Sequence, residues 1–152
     1  MLQRSQTLYL LGVYIINILL LTGSLAVFTF EGGELVLKHS GVYDMEGAKI
    51  DLATWPLTVY FVIMSLLALF NIFSFKNRIR QMRISVFMMM LEAGIIGLVF
   101  YYIFYVRTLF EGLLTVHQWR IIMPPVAIIL LYLAFRRIRR DELLVKAYDR
   151  IR

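Results

Sequence analysis

Four long apolar segments, separated by polar connections, constrain this chain more than any other feature of its sequence. They run from residue 7 to 29, 55 to 75, 85 to 106 and 119 to 135. Each has about the 17–25 residues that an α-helix needs to cross a hydrocarbon core of roughly 30 Å. The sequence therefore predicts an all-α membrane protein, built as a bundle of four transmembrane helices.

Composition indicates that lipid surrounds most of the chain. Hydrophobic residues make up 61% of its 152 residues, against about 45–50% in an average soluble domain. The segments leave an outer loop (30–54), two shorter connections and a tail (136–152), too little chain for a soluble domain. We expect one membrane domain over residues 1–152. Because the chain has no cysteine, disulfides and thiolate-bound metals are excluded.

Lysine and arginine are divided very unequally between the two ends of the segments. Twelve of the sixteen lie before the first segment, between the second and third, or after the fourth. They are Arg4, Lys76, Arg78, Arg80, Arg83, Arg136, Arg137, Arg139, Arg140, Lys146, Arg150 and Arg152. Because short loops rich in Lys and Arg stay in the cytoplasm, this pattern predicts a multi-pass protein with both termini cytoplasmic. These basic residues form short clusters beside the membrane and not a folded basic face, which argues against nucleic acid as a partner.

The first segment also has features of a signal peptide. Arg4 precedes an apolar run, and Ser24 and Ala26 are small residues at a plausible cleavage spacing. We interpret this segment as a retained first span.

The outer loop carries the alternation that is typical of short strands. Residues 34–39 and 48–53 each read as a strand, and residues 41–47 lie between them as a loop. An isolated hairpin is only marginally stable in water. We therefore expect an extracytoplasmic β-hairpin-like loop that docks on the bundle, on the 107–118 connection or on a partner.

The cytoplasmic connections are predicted to be helical or very short. Residues 76–84 are too few for more than a helical hairpin turn, so spans two and three should be antiparallel neighbours. Pro124 and Pro125 indicate a kink or a shifted helix start in span four. The tail has no Gly or Pro, which predicts a cytoplasmic helical extension. Its basic residues would meet anionic lipid head groups or a partner protein.

Glu92 is the one acidic residue inside a predicted span. A carboxylate near mid-membrane costs about 2.5–3.5 kcal/mol or more, so Glu92 should be protonated, paired or facing a polar cavity. One reading makes Glu92 a proton-relay or substrate-binding group. The other makes it part of an interhelical hydrogen bond, with Asn17 near the middle of span one as its partner.

Small residues beside Glu92 are typical of close helix packing. Ala93 and Gly97 are four residues apart with Gly94 between them, which predicts that span three is the packing axis. The Met88–Met90 run reads as apolar filling, since it has no Cys or His companions. No catalytic, metal-binding or cofactor-binding signature is found, and we expect no cofactor and no enzymatic activity.

Three segments together resemble a known family. They are residues 1–11 (MLQRSQTLYLL), 75–83 (FKNRIRQMR) and 136–152 (RRIRRDELLVKAYDRIR). They are similar to an uncharacterised family of small four-span inner-membrane proteins of Bacteroidota, catalogued as a domain of unknown function. The resemblance covers the whole chain and implies a bacterial inner membrane. Because all three segments fall on the cytoplasmic side, it also implies that the shared function lies there.

These observations favour an accessory, assembly or scaffold subunit of an inner-membrane complex. Such a subunit would use its basic cytoplasmic face and outer hairpin to contact another membrane protein or a second copy of itself. A small proton-coupled or lipophile transporter using Glu92 is the first alternative. A membrane enzyme acting on lipid or quinone is the second.

Overall fold

The computed structural model describes residues 3–30, 33–44, 46–50, 52–110, 114–117 and 119–149. They form four α-helices and five β-strands. In chain order these are α1 (Gln3–Thr22), β1 (Ser24–Phe30), β2 (Gly33–Lys38), β3 (Gly41–Asp44), β4 (Lys49–Ile50), α2 (Trp55–Phe73), α3 (Arg78–Leu109), β5 (Leu114–His117) and α4 (Met123–Asp149). The chain is therefore mostly helical, as expected, but its sheet is larger than the predicted hairpin.

The four helices pack in a ring, in which α1 and α3 each contact both α2 and α4. Their apolar side chains point both inward and outward. Met88 and Leu131 are fully buried, whereas Met90 is 71% exposed and Phe104 68% exposed. A helix that is apolar on all sides is typical of a membrane span or a deeply buried core helix.

In the part of the chain that the structure describes, three helices are long and apolar enough to cross a membrane, spanning Trp55–Phe73, Arg78–Leu109 and Trp119–Val145. The apolar part of α1, Gln6–Thr22, is shorter.

The α2–α3 connection is shorter than the sequence suggested. A 3-10 turn covers Ser74–Lys76, and α3 begins at Arg78. The prediction of a connection reaching to residue 84 is therefore wrong. Residues 78–84 contain no Gly or Pro, so the helix continues through them into the polar region. Hydropathy located the apolar part of this helix but not its beginning.

Helix α4 begins and ends later along the chain than the predicted fourth span, residues 119–135. Trp119–Ile122 form a 3-10 turn, and the α-helix begins at Met123. Pro124 and Pro125 occupy its first turn, where a missing backbone N–H costs little. The helix then continues past Phe135 to Asp149 without a break, as predicted for the tail.

The sheet is antiparallel throughout, with strand order β4-β3-β2-β1-β5. Its buried side chains, which include Phe28, Leu35, Leu37 and Val42, belong to the same hydrophobic core as the helices. We call this the sheet end of the molecule. The opposite end, which carries residues 78–83 of α3 and 136–140 of α4, is called the basic end.

The first predicted span, residues 7–29, is wrong in its last part. Helix α1 ends at Thr22, and Ser24–Phe30 form β1 at the centre of the sheet. Val27, Phe28 and Thr29 are β-branched or aromatic residues, which favour a strand. Apolar content alone does not separate such a strand from the end of a helix.

The predicted pairing of residues 34–39 with 48–53 is also wrong. Residues Gly41–Asp44, expected to be a loop, form β3 and pair with β2 through Leu37 and Val42. Strand β4 is only Lys49–Ile50 and pairs with β3. Gly47 at φ +76° allows the tight turn between β3 and β4. Burial of Val42 explains why this short segment joins the sheet.

Candidate functional site

A buried polar pair joins two helices that lie diagonally across the ring. Asn17 of α1 donates a hydrogen bond from Nδ2 to Oε1 of Glu92 on α3, at 2.9 Å. Both side chains are 0% exposed. The second N–H of the Asn17 amide group is directed to the backbone oxygen of Val13, at 3.1 Å. The structure thus brings together the two residues that the sequence suggested as partners.

Among the described residues, each member of this pair also has one polar atom without a hydrogen-bond partner. These atoms are Oδ1 of Asn17, an acceptor, and Oε2 of Glu92. A proton on Oε2 would turn that atom into a donor, which is what the Asn17 acceptor lacks. The pair is therefore chemically suited to a neutral carboxylic acid facing a carboxamide.

The small residues beside Glu92 do not share one environment. A Cβ added to Gly94 would lie 2.5 Å from the hydroxyl oxygen of Tyr60 on α2, whereas one added to Gly97 would meet nothing within 4 Å. Ala93, Gly94 and Gly97 are all exposed residues of α3. Close packing of another helix at Ala93 and Gly97 therefore stays a prediction.

A second polar cluster lies nearer the basic end, between α2 and α3. Asn71 donates to Oγ of Ser85 at 2.9 Å, and Ser85 donates to the backbone oxygen of Gln81 at 2.9 Å. Gln81 in turn donates to the backbone oxygen of Asn71 at 3.2 Å. All three side chains are buried. The sequence contains no signal for this cluster, although Gln81 and Ser85 share the inward face of α3 with Glu92.

The basic end brings three distant segments together. Gln6 of α1 donates to a carboxylate oxygen of Asp141 on α4. Arg78 of α3 donates to the backbone oxygen of the same residue at 3.1 Å. Asp141 and Gln6 are both buried. Asp141 thus links the helices that carry the three family-like segments.

The arginines around this link differ in their contacts. Arg80 lies over the ring of Phe70, with its guanidinium carbon 5.6 Å from the ring centre. The exposed basic residues are Arg80, Arg83, Arg136, Arg137, Arg139 and Arg140. The side chains of Arg4, Lys76 and Lys146, and the residues Arg150 and Arg152, lie outside the part of the chain that the structure describes.

A histidine connects the sheet to helix α2. Nδ1 of His39 lies 3.1 Å from the hydroxyl of Thr58, which also donates to the His39 backbone oxygen at 2.9 Å. Burial lowers the pKa of His39 below its ordinary value of 6.5, and the positive charge of Lys38 adds to this effect. A backbone hydrogen bond with Leu21 acts in the opposite direction. The neutral form of His39 is therefore the one that the fold favours.

No group of three His, Asp or Glu side chains that could hold a metal ion is found in the described part of the chain.

Comparison with known proteins identifies a family without an assigned activity. No match was found among curated proteins or among solved structures. Residues 2–151 match the family described as Domain of unknown function (DUF4293). Because this match covers nearly the whole chain, the resemblance of the three segments to a domain of unknown function is confirmed. The chain belongs to the DUF4293 family.

Proposed function

We propose that this chain is a four-span protein of a bacterial inner membrane, with both termini in the cytoplasm. It acts as an accessory, assembly or scaffold subunit of a membrane-protein complex and has no catalytic activity of its own. The link at the basic end, where Asp141 joins α1, α3 and α4, is the observation that carries this proposal.

Helix lengths and exposed side chains support membrane insertion. Helices α2, α3 and α4 meet the requirement of length and apolar composition for a span. Helix α1 has 20 residues, which corresponds to about 30 Å, close to the hydrocarbon thickness of a bilayer. Leu8 of α1, Leu66 of α2 and Phe104 of α3 are each at least 60% exposed. Lipid would cover these side chains.

The proposed orientation rests on the concentration of arginines at the basic end of the molecule. The basic end holds Arg78, Arg80 and Arg83 of α3 and the four arginines within residues 136–140 of α4, which favours a cytoplasmic location. The chain has no natural cysteine, so a single introduced cysteine reports its own location. In intact spheroplasts, an impermeant maleimide should label Glu46→Cys in the β3–β4 turn. It should label Asn77→Cys at the α2–α3 connection only after permeabilisation, and the reverse pattern would overturn the orientation.

A scaffold role is supported by how the basic end is built. The link through Asp141 fixes the ends of three helices, so the exposed arginines of α3 and α4 form one face on a rigid base. Long-range electrostatic attraction would guide an acidic partner to that face. The hydrogen bonds from Gln6 and Arg78 to Asp141 hold the three helices together.

Native purification tests the scaffold role. Extraction in a mild detergent should recover a second membrane protein in stoichiometric amount. Replacing Arg136 and Arg137 by Gln should reduce that recovery. A chain that purifies only as a monomer or a simple dimer would contradict the proposal. Ile129→Ala, which changes an exposed apolar residue of the same helix, is the control.

Proton-coupled transport is the second candidate, favoured by the buried Glu92 with its unpartnered Oε2. In this case Glu92→Gln would abolish a proton-coupled flux in proteoliposomes while the fold is retained. Unchanged flux in that variant would exclude Glu92 as the relay. Met90→Ala, at an exposed position of α3, controls for reconstitution.

A further inference from the structure

A groove runs along the outside of the molecule between α3 and α4 near the basic end. Its cavity of about 510 Å³ is lined by Met82, Arg83 and Val86 on α3 and by Phe135 and Arg139 on α4, among others. A neighbouring cavity of about 670 Å³ shares Arg83 with it and extends toward the α2–α3 connection. The groove is therefore open, elongated and formed by two helix faces.

Polar and apolar residues are sorted along the length of this groove. Helix α3 runs away from the basic end, so Val86 lies about 4.5 Å deeper than Arg83. Helix α4 runs toward the basic end, so Phe135 lies about 6 Å deeper than Arg139. On both helices the apolar residue is the deeper one, and the arginine stands at the mouth.

The two arginines at the mouth are available for a ligand. Arg78 is already bound to the backbone of Asp141, and Arg80 lies against Phe70. For Arg83 and Arg139, no ion pair or hydrogen bond with another described residue is found. Glu142 also lines the groove, and it has an interaction of its own. The mouth therefore carries two positive charges against one negative charge.

We propose that this groove binds an anionic phospholipid of the surrounding bilayer. The phosphate would lie between Arg83 and Arg139, whose planar guanidinium groups suit bidentate contact with phosphate oxygens. The first part of an acyl chain would follow Met82, Val86 and Phe135 into the membrane. Basic pockets between membrane helices on the cytoplasmic side are known to select acidic head groups. This inference rests on the membrane insertion proposed above.

Native mass spectrometry of the full chain, released from mixed vesicles, tests the site. The vesicles contain equal amounts of dioleoyl phosphatidylglycerol and dioleoyl phosphatidylcholine. The natural chain should retain phosphatidylglycerol at a ratio of at least about tenfold over phosphatidylcholine, which corresponds to about 1.4 kcal/mol. The double variant Arg83→Gln with Arg139→Gln should lose this preference.

A matched control removes the same charge from the same end. Arg136 and Arg137 do not line the groove; they border a neighbouring cavity beside Tyr9, which shares Arg139 with the groove. The double variant Arg136→Gln with Arg137→Gln should keep the preference for phosphatidylglycerol. If both double variants lose it equally, general charge attraction explains the retention and the site is refuted.

A second variant tests the apolar part of the groove. Val86→Trp leaves every arginine in place but fills the space beside Phe135, so it should weaken phospholipid retention at least fivefold. Inorganic phosphate alone should not compete with the phospholipid. Full competition by free phosphate, or equal retention of phosphatidylcholine by the natural chain, would overturn the proposal.

The failure of this proposal can be distinguished from failure of membrane insertion. Release of the chain from membranes by carbonate at high pH would contradict both membrane insertion and the lipid site. A chain that stays in the membrane fraction but retains no phosphatidylglycerol would defeat only the lipid site.

Discussion

Asn17 and Glu92 are hydrogen-bonded at 2.9 Å across the centre of the helix ring, and neither side chain reaches the surface. They come from α1 and α3, the helices that do not neighbour each other in the ring. This hydrogen bond therefore joins α1 directly to α3, in addition to the packing of each helix on α2 and α4. The contribution of this hydrogen bond to stability depends on whether both side chains keep a hydrogen-bond partner. A buried polar group without such a partner is costly in an apolar interior.

Replacing Glu92 should separate the effect of its polarity from that of its charge. We expect Glu92→Gln to cost less than about 1 kcal/mol, because the amide of Gln can both accept from and donate to Asn17. Glu92→Leu should cost about 1–3 kcal/mol, because the buried Asn17 amide then loses its partner. Unfolding by steric trapping in bicelles measures both. Asn17→Leu combined with Glu92→Leu should recover part of this loss; a strictly additive double variant would contradict the pairing.

Two glycines on α3 provide a matched comparison of packing. Gly94→Ala should be about 0.5–1.5 kcal/mol less favourable than Gly97→Ala, because only the former brings a methyl group against the Tyr60 hydroxyl and forces that side chain to turn away from its rotamer. Both changes improve helix propensity alike, so the difference isolates the contact. The free energy of unfolding of each variant measures it.

The Tyr60→Phe background checks this explanation. Removing the hydroxyl should make the two alanine variants nearly equal. A difference that persists in Tyr60→Phe would mean that another contact limits the space at Gly94.

Stability should fall in mild acid because of His39. Its pKa is lower in the folded chain than the ordinary 6.5, so the unfolded chain binds the proton more readily. The contribution of His39 is therefore complete above about pH 6.5 and is lost as the pH falls toward the lowered folded value. Apparent melting temperature in detergent, followed from pH 7.5 to 5, should show this decrease.

Replacing His39 tests this assignment. His39→Gln should flatten the pH dependence in this window. If the His39→Gln variant kept the full slope, another group would be responsible.

The buried contact at the basic end should hold α1 against α4. Asp141→Leu is expected to destabilise the chain by about 1–3 kcal/mol, because the buried Gln6 amide loses its acceptor. Arg140→Leu, at an exposed neighbouring position, should change stability by less than about 0.5 kcal/mol. Hydrogen exchange of the α1 amides provides the measurement. Equal exchange in both variants would show that Asp141 does not hold α1.

Helices α2, α3 and α4 could be predicted from the sequence because each contains a long apolar run. Their ends could not be predicted in the same way. The arginines that follow Asn77 and Phe135 end the apolar pattern but are good helix formers, so α3 and α4 extend beyond it.

Strand β1 shows why the sheet was only partly predictable. Its sequence, SLAVFTF, is as apolar as a helix end. What makes it a strand is pairing with β2 on one side and with β5, far along the chain, on the other. Such long-range pairing leaves no local periodicity.

The buried pair could be anticipated because a lone acid in an apolar segment needs a partner at the same depth. Asn17 is a polar residue near the middle of the first span, so it met that condition. The contacts of Gln6 with Asp141 and of Tyr60 with Gly94 have no comparable signal in the sequence. Gln6 and Asp141 are 135 residues apart, and both look like ordinary polar residues at the ends of helices. The contact of Tyr60 with Gly94 depends on how α2 and α3 are rotated, which sequence spacing does not specify.

The position of β5 has a consequence for the order in which this protein is made. Strand β1 lies inside the finished sheet, yet its neighbour β5 is synthesised only after α2 and α3. Until residues 114–117 emerge, one side of β1 is an open strand edge of the kind that pairs with other chains. Ribosome pausing before residue 114 would therefore leave a nascent chain vulnerable to mispairing. Once α3 and β5 have been synthesised, β5 can pair with β1 and cover the open edge. This pairing joins the first half of the chain to the second.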